Sequence, residues 1–119
     1  MTLPHRIARG GVWVADLNPR RGTEAGKVRP VVVVQTDGLN PHHTSTVVCP
    51  ITTKTVRSDN LLRVRLDQGE GGVARESDIM VDQIRALDNA RFRRLLGRVP
   101  AARMEELRER LTSLLDLEG

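Results

Sequence analysis

The spacing of apolar positions along this chain changes once, near residue 100. Upstream, short apolar runs alternate with turn formers. The run Gly11-Val12-Trp13-Val14-Ala15-Asp16-Leu17 predicts a strand, and Asn18-Pro19 through Gly26 reads as a loop. Pro30-Val31-Val32-Val33-Val34-Gln35 is a continuous β-branched run, which predicts a strand buried on both faces. Asp37-Gly38-Leu39-Asn40-Pro41 breaks it, and Thr44–Ile51 forms the next strong strand. Weaker strands are expected at Leu61–Leu66, Ile79–Val81, Ile84–Leu87 and Leu95–Val99, with Gly69–Gly72 as a turn. Downstream the period becomes helical. Met104, Leu107, Leu111, Leu114 and Leu115 form one apolar stripe, Pro100 suits the first helical position, and Glu106 and Arg110 are spaced as an ion pair. Five to seven strands followed by one amphipathic helix predict a mainly β fold with a C-terminal helix, a small and strongly bent barrel capped by that helix.

Composition narrows the picture. At 119 residues the chain fits one domain spanning 1–119, with residues 1–9 expected as a flexible N-terminal lead. Seventeen of the 19 basic side chains are arginines, the better fork for phosphate oxygens, so either a polyanionic partner or a codon bias accounts for them. Residues 1–65 carry 10 bases and 4 acids while residues 66–119 carry 9 and 11, which makes the first part the expected polyanion face. Trp13 and Phe92 are the only aromatic residues, too few for a surface that stacks bases on rings. Cys49 is the single cysteine, which excludes intramolecular disulfides and Cys-rich zinc sites and suggests a reducing, cytoplasmic setting. No apolar export segment or membrane-length apolar window is present.

Most catalytic constellations are poorly served. His42 and His43 are adjacent and point apart on an extended chain, and His5 lies in the lead. Asp78, Asp82 and Asp88 are spread over strand ends without metal-ligand spacing, and Glu105, Glu106 and Glu109 read as a solvated helix face. Dinucleotide, phosphate-loop and nucleophile-elbow motifs are absent. Cys49, before a proline in an apolar strand, reads as a buried structural thiol. What remains is arginine with hydroxyls: Arg29 at the mouth of the most apolar strand, and Thr52 and Thr53 at the end of the next. Neighbouring strands would set a guanidinium and a hydroxyl at one rim, a pair able to stabilise a phosphorane. Equally, Arg29 could pair with an acid such as Glu24, and the threonines could simply suit a strand end.

The order of several segments adds to this. Arg9-Gly10-Gly11-Val12-Trp13-Val14-Ala15-Asp16-Leu17-Asn18-Pro19, Gly22-Thr23-Glu24-Ala25-Gly26-Lys27-Val28-Arg29-Pro30, Val47-Val48-Cys49-Pro50-Ile51-Thr52-Thr53 and Asp78-Ile79-Met80-Val81-Asp82-Gln83-Ile84-Arg85 together resemble the MazF/PemK family of toxin endoribonucleases. Gly11 departs from that pattern, standing where the family commonly has aspartate. The resemblance implies an SH3-like barrel, a homodimer, an acidic cognate antitoxin, and metal-independent and cofactor-independent cleavage of single-stranded RNA to 2′,3′-cyclic phosphate and 5′-hydroxyl ends. It assigns catalysis to Arg29 and Thr52. Arg20, Arg21, Lys27, Thr53, Lys54, Arg57 and Gln83 are candidate RNA contacts, and the first long loop is a docking place for the antitoxin. The rival readings are a non-catalytic toxin resembling CcdB, which binds gyrase on the same barrel, and an inactive nucleic-acid-binding module.

Overall fold

The computed structural model describes residues 6–19, 22–23 and 27–118. Seven strands form in chain order: β1 Gly11–Asp16, β2 Val28–Val33, β3 Ser45–Thr52, β4 Arg63–Leu66, β5 Ser77–Met80, β6 Arg85–Asp88 and β7 Phe92–Arg98, followed by α1, Ala101–Leu114. Six of them line up as β4-β5-β3-β2-β1-β7, and β6 pairs with the first part of β3, on the side where β5 takes its last residues. All the pairings are antiparallel. Among the described strands β4 and β7 do not pair, so the sheet bends without closing and the expected barrel is an open one.

Alternation along β1, β2 and β3 loads both faces of the sheet. Val12, Val32, Cys49 and Ile51 join Val64, Leu66, Ile79 and Leu107 in one core, while Trp13, Ala15, Val31, Val33 and Val48 join Leu87 and Phe92 in another. The β-branched run is therefore buried on both faces, as its composition predicts: Val31, Val32 and Val33 are fully enclosed. That strand begins earlier than its apolar run, because β1 offers partners as far as Asp16, opposite Val28. It stops before Gln35, whose side chain instead bonds Asn40 and accepts from the Val47 amide.

Helix α1 covers the first core with Leu107, flanked by the half-buried Met104 and Leu111. The last two positions of the predicted stripe do not pack: Leu114 and Leu115 are 40% and 49% exposed, and Leu115 lies beyond the helix end. Arg103 fastens the other end by ion pairs to Asp67, Glu70 and Glu106, and the predicted Glu106–Arg110 pair forms at 3.5 Å. The Gly69–Gly72 turn sits against the sheet rather than in solvent. A Cβ on Gly72, whose φ is +81°, would lie 2.4 Å from the Leu96 carbonyl oxygen, so only glycine fits there.

Of the lead, residues 1–5 lie outside the described residues. Ile7 packs on the second core, and the Arg9 amide donates to Asp37 at 2.8 Å while its guanidinium donates to the Val34 carbonyl.

Candidate functional site

One transverse row of the sheet gathers the polar residues at a rim. Ala15 on β1 faces Arg29 on β2, Thr52 on β3 faces Asp78 on β5, and Asp78 in turn faces Arg65 on β4. The link between the two halves is the β2–β3 ladder, which pairs Val33 with Val48, Val32 with Cys49 and Val31 with Pro50. Continued along the same antiparallel register, it leads to Arg29 and Thr52 as opposed residues. Directly opposed residues share a face with Cβ atoms about 5 Å apart. Arg29 and Thr52 are both half-buried, at the edge where the second core gives way to solvent.

Thr52 is oriented by its own loop. Its hydroxyl oxygen accepts the Lys54 amide at 3.1 Å, which fills one lone pair and leaves the hydroxyl proton for another acceptor. Thr53, Lys54 and Arg57 follow in an exposed segment. Arg57 holds Asp59 at 3.1 Å in a solvent-exposed pair, the kind that contributes little.

Beneath this segment lies a group that strand-end spacing does not reveal. The Asp78 side chain is enclosed and accepts three donors: Arg65 Nε at 2.6 Å, the Val56 amide at 2.9 Å and Arg63 at 3.2 Å. Both arginines also hold the segment directly. Arg63 donates to the Lys54 carbonyl at 3.1 Å and Arg65 to the Val56 carbonyl. Bonding to Asp78 raises the Arg65 guanidinium above its ordinary value. A sequence signal existed in Arg63-Val64-Arg65, where alternation puts both arginines on one face.

The base of the β1–β2 loop is the other wall. Lys27, in a left-handed conformation at φ 69°, donates its amide to Asn18 at 2.8 Å and accepts from the Leu17 amide at 2.8 Å. Gln83 reaches across from a short turn after β5 and donates to the Thr23 carbonyl at 3.2 Å, so its amide ties the loop to the sheet. Arg20, Arg21 and Glu24 lie outside the described residues. The second part of the chain adds basic residues that the charge split left out. Arg91 donates to the Asp16 and Asn18 carbonyls, and Arg93, half exposed, pairs with Asp16 at 3.4 Å.

The remaining chemistry is not brought together here. His42 and His43 are exposed, with the His43 ring against the Ser45 carbonyl at 2.7 Å. Burial pushes the Cys49 thiol up to about 12, where it is inert as a nucleophile. Among the described residues no three His, Cys, Asp or Glu side chains are grouped to hold a metal ion.

Comparison with known proteins bears on the fold and the family. The family model described as "PemK-like, MazF-like toxin of type II toxin-antitoxin system" matches residues 8–115. The fold is similar to the crystal structure of MazF from Deinococcus radiodurans, at 26% identity and TM-score 0.79, covering 94% of this chain and 98% of that one. It is likewise similar to MazF in a MazE–MazF complex from the same organism, at 26% identity and TM-score 0.77, covering 96% and 99%. An endoribonuclease from a mycobacterial species, in complex with its cognate antitoxin, shares the fold at 22% identity and TM-score 0.76, covering 94% and 97%.

Proposed function

The chain belongs to the PemK-like, MazF-like toxins of type II toxin–antitoxin systems, and we propose that it exerts this role as an endoribonuclease whose chemistry rests on Arg29 and Thr52. The substrate is unpaired RNA. The ribose 2′-oxygen attacks the adjacent phosphorus and loses its proton, the bond from phosphorus to the 5′-oxygen breaks, and that oxygen takes up a proton. The products are a 2′,3′-cyclic phosphate and a 5′-hydroxyl, with no metal required. Arg29, charged at any working pH, neutralises the phosphorane, while the Thr52 hydroxyl donates to a non-bridging oxygen.

The observation that carries this reading is the β2–β3 register, which runs toward Arg29 opposite Thr52, together with the Lys54 amide that bonds the Thr52 hydroxyl oxygen and leaves its proton to be donated. Lys27, Thr53, Lys54, Arg57 and Gln83, with Arg20 and Arg21 of the first loop, gather and read the strand around it. The partner is a cognate antitoxin whose acidic segment covers this basic rim. A second copy completes a homodimer, for which the exposed Leu61 and Leu114, which line one groove, supply apolar surface. On this reading its work lies in the cytoplasm, where the RNA substrate is found.

The test is cleavage of a single-stranded RNA in EDTA, with both new ends identified. Arg29→Ala and Thr52→Ala should each slow the chemical step by about 3 kcal/mol, on the order of 100-fold. A 2′-deoxy substitution at the cut should abolish it. Wild-type rates in Arg29→Ala, or intact RNA with the purified wild type, would overturn the reading.

A further inference from the structure

The clamp around Asp78 has no role in the chemistry just described, yet its enclosed carboxylate takes three donors beside the rim. We propose that Asp78, acting through Arg63 and Arg65, is a positioning residue that holds Thr52 and the segment after it in the reactive arrangement. The inference rests on Thr52 being catalytic.

The geometry argues for more than fold stability. Asp78 lies directly across the ladder from Thr52, so the two side chains share one face of the sheet. Its carboxylate takes the Val56 amide itself, and its two arginines take the carbonyls of Lys54 and Val56. Three backbone atoms of the segment are thereby fixed to β4 and β5 from below. The Lys54 amide N–H is the donor that orients the Thr52 hydroxyl, and Arg63 holds the carbonyl on the other side of the same residue. The chain of contacts is therefore Asp78 to Arg63, Arg63 to the Lys54 carbonyl, and the Lys54 N–H to Thr52. It ends on the hydroxyl that the mechanism requires to point at phosphate.

Charge supports the same conclusion. Arg65 also pairs with Glu76 at 3.4 Å, so the two arginines are matched by two acids and the clamp is locally neutral. Its guanidinium groups are spent on internal bonds, which separates them from Lys54 and Arg57, exposed above. An ordinary surface loop is held by turn residues and water. This one is braced by a buried carboxylate, as expected where a hydroxyl must be held to a fraction of an ångström.

The experiment compares wild type, Asp78→Asn, Thr52→Ala and the double variant in single-turnover cleavage of a short RNA at saturating protein, with thermal unfolding measured alongside. Asp78→Asn should lower the rate constant by about 10- to 100-fold, with the reaction still running to the same end point. A purely structural defect would instead reduce the fraction cleaved and leave the rate constant of the folded protein intact. In the Thr52→Ala background Asp78→Asn should have almost no further effect, because the residue it positions is gone. Should Asp78→Asn fail to fold, Arg63→Gln removes only the Arg63 ties and keeps Asp78 bonded to Arg65 and the Val56 amide. It should still slow the chemical step about 3- to 10-fold. Additive effects of Asp78→Asn and Thr52→Ala, or an unchanged rate constant in the folded Asp78 or Arg63 variant, would overturn the inference. If Thr52→Ala itself cleaves normally, the catalytic assignment fails instead.

Discussion

Two buried polar groups in this fold are treated in opposite ways. Asp78, at the rim, receives three donors. The Trp13 indole nitrogen, within the second core, has no hydrogen-bond partner among the described residues, although its ring is fully enclosed and meets Phe92 edge-on at 5.6 Å. An unpaired buried donor costs about 1–3 kcal/mol, and a buried carboxylate without partners costs far more. The difference in penalty accounts for part of the contrast. Placement accounts for the rest. The satisfied group supports a segment that carries candidate functional residues, whereas the orphan sits where close apolar packing already holds the ring. A Cβ on Gly11 would lie 3.4 Å from the Trp13 nitrogen, so a polar side chain at that position would come within reach of the orphan.

The contrast is broken most directly at Asp78. Asp78→Ala leaves Arg63 and Arg65 without their buried counter-ion, and breaking such a pair costs about 3–5 kcal/mol when both partners are enclosed. The arginine side chains here are 22% and 19% exposed and can recruit some water, so a loss of about 3 kcal/mol is expected in urea unfolding. A loss below about 1 kcal/mol would put Asp78 on the same footing as the tryptophan nitrogen.

Asp78 also marks where sequence reading stops. The strands and helix follow from period and punctuation, since β-branched runs and the leucine stripe depend on neighbours along the chain. The burial of Val31–Val33 on both faces follows from the same run. Arg29 and Thr52 were legible as residues at the ends of two strong strands, and the ladder between those strands fits that reading. The Asp78 clamp was not legible, because its partners come from β4 and from the segment at Lys54–Val56, brought together only when β5 pairs on both sides. The exposed end of α1 was missed for a related reason: the stripe specifies which helix face is apolar, but not where the sheet beneath it ends. The charge split by chain halves could not show, for the same reason, that β7 places Arg93 beside Asp16 at the end of β1.

The orphan offers a smaller change, of opposite sign. Gly11→Ser adds an acceptor within reach of the Trp13 nitrogen and removes a glycine from a strand. Each effect contributes roughly 0.5–1 kcal/mol, set against crowding of the new Cβ with the Ala8 carbonyl at 3.0 Å. The net expectation is a gain of about 1 kcal/mol in unfolding free energy. The same substitution in a Trp13→Phe background should give clearly less, because the donor is absent. An equal gain in both backgrounds would assign the effect to the backbone and leave the orphan without consequence.

The smallest effect concerns carboxylates that are satisfied as Asp78 is, but in contact with water. The Arg9 amide, with Asn40 beside it, holds the Asp37 carboxyl below the ordinary range, and the Asp67 amide does the same for Glu70, helped by Arg103. The Asn18 amide, with Arg93 and Arg91 nearby, lowers Asp16. A carboxyl depressed in the folded state stabilises the fold at every pH above its unfolded value. That contribution is lost as pH falls through the unfolded value, near 4, and toward the lower folded one. The melting temperature should therefore be level from neutral pH to about 5 and decline below about 4. Because these groups are in contact with water and screened by it, each contributes only a small part of that decline. Asp37→Asn should make the acid decline shallower by its own share while lowering the neutral-pH melting temperature slightly. If the decline kept its slope in Asp37→Asn, a bonded carboxylate at the surface would add nothing measurable. Burial, rather than the number of donors, would then set the worth of the Asp78 clamp.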